Sequence, residues 1–332
     1  MSALRDVVVL LCLLVIASTL ALAPVAVPLG EASGAVTDPV IGAVGDMACD
    51  PQDPMFEDGW GTSNRCAEKR TSDTMVADAS LQAVLGLGDY QYDCGDASDY
   101  AVSYTPTWGR VDDLIQPVAG NHEYQTGDDD FGTPCPTDNT HAANYFSYFG
   151  AAAHPETVGH FSFDLGSWHV VALNANCSKS GVGGCGARSA QTKWLRSDLA
   201  STSQACILAF WHQPLWSGTG KGTLRAYRPW WDVLYAAHAD VVLNGHIHNY
   251  QRFAALDPNG TVDSSNGITE YVVGTGGEQR VSVARAARPQ PSYWARTFGY
   301  LRLTLGATGW KAEFIDYRGV VLDTSGGACH TP

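Results

Sequence analysis

Short apolar runs recur along the chain, and most of them end in glycine followed by a polar residue. Val40-Ile41-Gly42-Ala43-Val44 stops at Gly45-Asp46, and Ala83-Val84-Leu85-Gly86-Leu87 stops at Gly88-Asp89. Leu114 to Val118 leads to Gly120-Asn121-His122-Glu123, Cys206 to Trp211 stops at His212, and Val241-Val242-Leu243 leads to Gly245-His246-Ile247-His248. Unbroken apolar runs predict strands buried on both faces, as in sheets covered by helices. Between them, Ser189 to Ala200 predicts a helix, with Ser189 as its cap and Trp194, Leu195 and Leu199 at helical spacing. Pro229 to Ala237 predicts another, opened by proline in its first turn. Alternation in Phe161 to Leu165, a Gly166-Ser167 turn and Trp168 to Leu173 predict a hairpin, and Tyr300 to Leu305 with Trp310 to Tyr317 predict a second. No repeat or linker interrupts the pattern. The expected organisation is a leader over residues 1–35, one α/β domain over 36–327 and a tail over 328–332.

The leader is expected because Arg5 precedes an apolar run from Val7 to Leu22, short for a membrane span and followed by small residues. Its removal takes Cys12 and leaves eight of the nine cysteines, an even number that in an exported chain predicts disulfides. Cys177 and Cys185, which enclose a glycine-rich loop, are the expected local pair; the other partners stay open. With 34 Asp+Glu against 20 Lys+Arg, the net charge of −14 excludes nucleic acid and anionic membrane surfaces as electrostatic partners.

Strands that each deliver Asp, Asn or His at a carboxyl end describe one site at the rim of a sheet. Asp46, Asp89, Asn121, His212, His246 and His248 offer hard oxygen and borderline nitrogen donors without thiolate. That set suits a pair of iron, zinc or manganese ions. One carboxylate must serve both ions, and Asp89 is the expected bridge.

The ordered blocks Gly45-Asp46, Gly88-Asp89-Tyr90-Gln91-Tyr92, Gly120-Asn121-His122-Glu123, His212 and Gly245-His246-Ile247-His248 resemble the calcineurin-like metallophosphoesterase family. The resemblance implies a four-layer αββα sandwich of two mixed β-sheets flanked by helices, and hydrolysis of phosphate esters by attack of a metal-bound hydroxide. Many members carry a His two residues after the first Asp, where this chain has Ala48. The Gly-Asp-x-x-Tyr pattern ending at Tyr92 instead resembles the purple acid phosphatase branch. That implies Fe(III) held by Asp46, Asp89, Tyr92 and His248, and a divalent ion (Zn, Fe or Mn) held by Asp89, Asn121, His212 and His246. The ions, their anionic ligands and hydroxide then sum to about +1, a local field that attracts phosphate. His122 is the family-matched general acid or charge stabiliser, and Glu123 is expected to orient an imidazole.

The expected activity is therefore that of a secreted phosphomonoesterase, with a diesterase as the alternative. A non-catalytic surface-binding protein is the remaining option. The partner is a small phosphate ester, with no nucleic acid and no stable membrane association after signal cleavage. His141, His154, His160, His169, His238 and His330 are read as ordinary residues. Asp93, Asp96 and Asp128 to Asp130 are read as solvated loops, and Trp211, Trp216, Trp230 and Trp231 as packing. Gly274 to Gly277 is read as a turn near the site, lacking the lysine of a P-loop. Gln213 and Gln251 stand where related secreted bacterial members often carry His and Glu. Arg252, Lys221 and Arg225 are candidate substrate contacts.

Overall fold

The computed structural model describes residues 38–330 apart from 136, 220–224 and 285–286. The leader, Cys12 and Lys221 lie outside the described residues.

Two mixed sheets form the centre. In the first, the order is β13 (Val321–Ala328), β12 (Gly309–Asp316), β11 (Gly299–Gly306), β1 (Val40–Val44), β2 (Ala83–Gly86) and β3 (Ile115–Pro117), with β1, β2 and β3 parallel. In the second it is β10 (Tyr293–Ala295), β8 (Tyr250–Arg252), β9 (Thr269–Val273), β7 (Val241–Asn244), β6 (Cys206–Phe210), β5 (Trp168–Ala172) and β4 (Phe161–Leu165). Here β5, β6, β7 and β9 are parallel.

The apolar runs are unbroken because each strand is covered on both faces. Val170, Leu208 and Leu243 pack between the sheets against Ile41, Leu85, Leu301 and Phe314. Their neighbours Val171, Ala209 and Val242 point the other way, onto Leu195, Leu199, Trp230 and Leu234 of helices α3 (Ala190–Ser201) and α4 (Arg228–Ala236). On the far side of the first sheet, Val44 and Val84 meet Met75 of α1 (Glu68–Val76) and Tyr145 and Phe149 of α2 (Ala143–Phe149). This is the expected four-layer α/β sandwich. Ser189 caps α3 by accepting from the Thr192 N–H at 3.2 Å, and both expected hairpins form. Trp211, Trp216, Trp230 and Trp231 are buried, as packing requires.

All eight cysteines among the described residues are paired, as 49–66, 94–135, 177–185 and 206–329. The last links the start of β6 to the chain just beyond β13, fastening one sheet to the other. The reading that ends the domain at 327 is too short by this measure: Ala328 closes β13, Cys329 is bridged, and the His330 N–H reaches Asp240 Oδ1 at 2.7 Å. Strand β13 itself carries Thr-Ser-Gly-Gly and exposed positions, so no apolar run announced it.

Candidate metal centre

The carboxyl ends of β1, β2 and β3 in one sheet and of β6 and β7 in the other converge, and every expected donor sits there. Just beyond β1 and β2 the two chains run side by side: the N–H groups of Asp46, Met47 and Ala48 donate to the carbonyls of Gly88, Asp89 and Tyr90 at 3.0, 2.8 and 3.1 Å. Tyr92 N–H returns to the Ala48 carbonyl at 2.9 Å, which brings its phenol alongside Asp46. Asp46, Asp89 and His246 all adopt positive φ, at 59, 54 and 68°. Three non-glycine residues in this sparsely allowed region show a site whose surroundings over-determine the backbone. The alternation imposed by a regular strand would send Asp46 elsewhere. Gly120 is needed for close approach, since a Cβ there would fall within hydrogen-bonding distance of the Asp89 carboxylate.

The donor atoms form two groups that share Asp89. Tyr92 Oη lies 3.0 Å from Asp46 Oδ1, 2.9 Å from Asp89 Oδ2 and 3.1 Å from His248 Nε2. His248 Nε2 is also 3.1 Å from Asp46 Oδ1. On the other side, His212 Nε2 lies 2.9 Å from Asp89 Oδ2 and 3.1 Å from Asn121 Oδ1. His246 joins Asp89 and His212 with ligand atoms all within 4.8 Å. Adjacent corners of an octahedron with bonds of ~2.1 Å stand about 3 Å apart, so both groups have the spacing of a cation's coordination shell. The chemistry fits as well, because two carboxylates and a phenol buried against each other call for positive charge.

Neighbouring groups set the tautomers. His212 Nδ1 faces the Leu87 carbonyl at 2.7 Å, and His248 Nδ1 faces Glu278 Oε2 at 2.9 Å. A ring that donates through Nδ1 presents the Nε2 lone pair to a metal. Glu278 is in turn held by Arg65 Nη2 at 3.0 Å, and Arg65 Nε by Asp53 Oδ2 at 2.6 Å. Without cations the acid–base balance is internal. Burial opposes charge on His212, but Asp89 lifts its pKa to about 9. Burial likewise opposes charge on His248, which Asp46 and Glu278 lift to about 10. His246 goes down to about 4 through burial and the His212 charge. Burial, Asp46 and Asp89 drive Tyr92 far above the usual phenol range.

Three expectations need correction. Glu123 orients no imidazole: its Oε2 accepts the Asp89 and Gly120 N–H groups at 3.0 and 2.6 Å, and Oε1 accepts the Tyr90 N–H at 2.7 Å. It is a buried anchor that ties Asp89 to the Asn121 loop. Arg252 is no substrate contact, because Asp323 takes its Nε and Nη2 at 2.8 and 3.0 Å. Asp93 is buried rather than solvated, with burial raising its pKa to about 6, and its carbonyl faces His122 Nδ1 at 2.5 Å. Gln251, for its part, is engaged structurally, accepting from Gly218 N–H at 2.6 Å and donating to Asn249 Oδ1 at 2.8 Å. The Gly274 turn packs against the Asp46 carboxylate, as expected of a turn near the site.

The calcineurin-like phosphoesterase family model matches residues 41–250. The chain belongs to the calcineurin-like phosphoesterase family. Within that family it is similar to purple acid phosphatases. Purple acid phosphatase 21 of Arabidopsis thaliana is 26% identical over 242 residues, covering 64% of this chain and 49% of the relative. Purple acid phosphatase 15 of the same plant is 26% identical over 258 residues, covering 66% and 45%. The chain thus spans about half the length of the relatives it matches. A purple acid phosphatase from yellow lupin seeds (Lupinus luteus) superposes with a TM-score of 0.69 at 18% identity, over 88% of this chain and 54% of that one. The donors here come from strand ends of both sheets, and the residues missed by sequence reasoning, Glu278 and Arg65, stand behind them. A lone Glu after a glycine turn carries no pattern by which to find it.

Proposed function

We propose that this protein is a dinuclear-metal phosphatase that hydrolyses small phosphate monoesters outside the cell. The observation that carries the reading is the pair of donor groups meeting at Asp89 with Tyr92 in one of them. Asp46, Asp89, Tyr92 and His248 would hold one ion, favouring Fe(III) through the phenolate, and Asp89, Asn121, His212 and His246 a divalent one. Two such cations supply a water of lowered pKa and a clamp for phosphoryl oxygens. The residues of the chain do the rest. Glu123 fixes the bridging carboxylate through the backbone of Asp89. Glu278 holds His248 with Nε2 toward the ion, and the Leu87 carbonyl does the same for His212.

His122 is the proton donor. Its main-chain N–H donates to Asp89 Oδ1 at 2.9 Å, and its ring lies over Tyr92 with centroids 4.1 Å apart. With Nδ1–H turned to the Asp93 carbonyl, Nε2–H of the imidazolium form would be left to give its proton to the departing alkoxide. Four disulfides, and no helix among the described residues long and apolar enough to cross a membrane, are compatible with secretion.

The test is metal analysis and a visible spectrum of the purified protein and of Tyr92→Phe, with p-nitrophenyl phosphate and bis(p-nitrophenyl) phosphate assayed together. Iron, a charge-transfer band lost in Tyr92→Phe, and preference for the monoester are expected. A colourless, iron-free enzyme removes the tyrosinate assignment, and preference for the diester removes the monoesterase.

A further inference from the structure

A hollow of about 550 Å³ is lined by Leu215, Trp216, Arg225, Arg228, Asn259 and Arg288. Three guanidinium groups around one hollow gather positive charge on a chain whose net charge is −14. Arg228 is partly engaged, its Nε with Asp232 Oδ1 at 2.8 Å and its Nη2 with Asn259 Oδ1 at 3.1 Å. Arg225 and Arg288 have no carboxylate partner among the described residues, and Arg288 spends only Nη1, on the Ala287 carbonyl at 2.7 Å. Helix α4 starts at Arg228, so the positive end of its dipole adds to the field. The Trp216 indole N–H is buried and has no hydrogen-bond partner among the described residues. Arginine forks with free donors match phosphate and carboxylate oxygens.

The hollow is coupled to the centre by its walls. His246 and His248 line a smaller opening of about 120 Å³ together with Thr219 and Ser282. Thr219 follows Trp216 by three residues, at most ~10 Å of chain, and the Ala284 N–H, two residues beyond Ser282, donates to the Gly218 carbonyl at 2.6 Å. The 216–219 segment therefore borders both cavities.

We propose that the arginine hollow receives a second anionic group of the substrate whose phosphoryl group lies at the metal centre. The preferred substrates are then small esters with two anionic groups, such as a sugar bisphosphate, rather than esters with a neutral leaving group. This rests on the phosphatase reading above.

The experiment compares fructose 1,6-bisphosphate with p-nitrophenyl phosphate on the metal-loaded protein and on the double variant Arg225→Gln/Arg288→Gln, whose exposed positions leave the core intact. The ratio of kcat/KM for the bisphosphate over the monophosphate falls about tenfold in the variant, mainly through KM of the bisphosphate. That is the scale of solvent-screened, charge-assisted hydrogen bonds. An unchanged ratio overturns the proposal. If the wild type hydrolyses neither ester, the phosphatase reading fails separately. Calorimetric titration with fructose 1,6-bisphosphate then decides the hollow: binding weakened about tenfold in the variant upholds it, and equal or absent binding in both proteins overturns it.

Discussion

Replacing Glu123 by Gln tests whether the bridging carboxylate is positioned through the backbone. The side chain is buried, and its two oxygens accept three main-chain N–H groups, two at Oε2 and one at Oε1. In Gln the amide oxygen can keep the pair from Asp89 and Gly120. The NH₂ then points at the Tyr90 N–H, two donors facing each other. The loss is one charge-assisted hydrogen bond, roughly 1.5–3 kcal/mol, together with the desolvation of an unpaired buried N–H, so about 3 kcal/mol in all. Glu123→Ala orphans all three donors and costs on the order of 6 kcal/mol, comparable to the whole stability of many domains. Gln is therefore the informative variant. Urea unfolding gives the stability change, and metal stoichiometry after dialysis reports whether Asp89 has moved. The expected result is an unfolding free energy lowered by about 3 kcal/mol and partial loss of bound metal. A variant with wild-type midpoint and full metal content would refute the reasoning, since an acceptor cannot be replaced by a donor facing the buried Tyr90 N–H without consequence.

Burial raises the Glu68 pKa from 4.5 to about 8, and its Oε2 has no hydrogen-bond partner. The folded protein then holds a proton the unfolded chain releases, so this stability is complete below about pH 4.5 and is lost as pH rises through 8. Glu68→Gln removes a pH dependence on the order of 5 kcal/mol, read from unfolding midpoints across that window. Cys206→Ser/Cys329→Ser releases a loop of 123 residues and lowers stability by about 5 kcal/mol, against about 2.5 for the pair eight residues apart, 177–185; equal losses in denaturant would contradict the loop-entropy argument. Arg252→Ala leaves Asp323, itself bonded by Tyr250 Oη at 2.8 Å, without its cation and costs about 1–3 kcal/mol. A rise in KM with unchanged thermal stability would restore Arg252 to the substrate site.

The strand runs, both hairpins and the α3 and α4 segments were legible because burial on both faces and helical spacing are written locally. The short strands β8 and β10 were not, since three residues carry too little period to read. The donors were legible for a related reason. A parallel strand delivers its next polar residue to a known edge, and Asp46, Asp89, Asn121, His212, His246 and His248 are polar where apolar runs stop. Tyr92 was found through the vacancy at Ala48, and the backbone pairing of Ala48 with Tyr90 and Tyr92 supplies the geometry behind that inference.

The sequence by itself determined the fold class, the donor types and the order in which strands present them. Those depend on hydrophobic period and on side-chain chemistry, which are properties of short stretches. Only the tertiary structure decided which charge answers which. Glu123 serves three backbone amides instead of a ring, Arg252 is neutralised by a residue 71 positions away, and Arg65 and Glu278 stand behind His248 from opposite parts of the chain. The three cysteine pairs other than 177–185 and the arginine hollow belong to the same category. Pairing energies act through space between segments brought together by packing, and nothing in the local pattern of either segment records its partner.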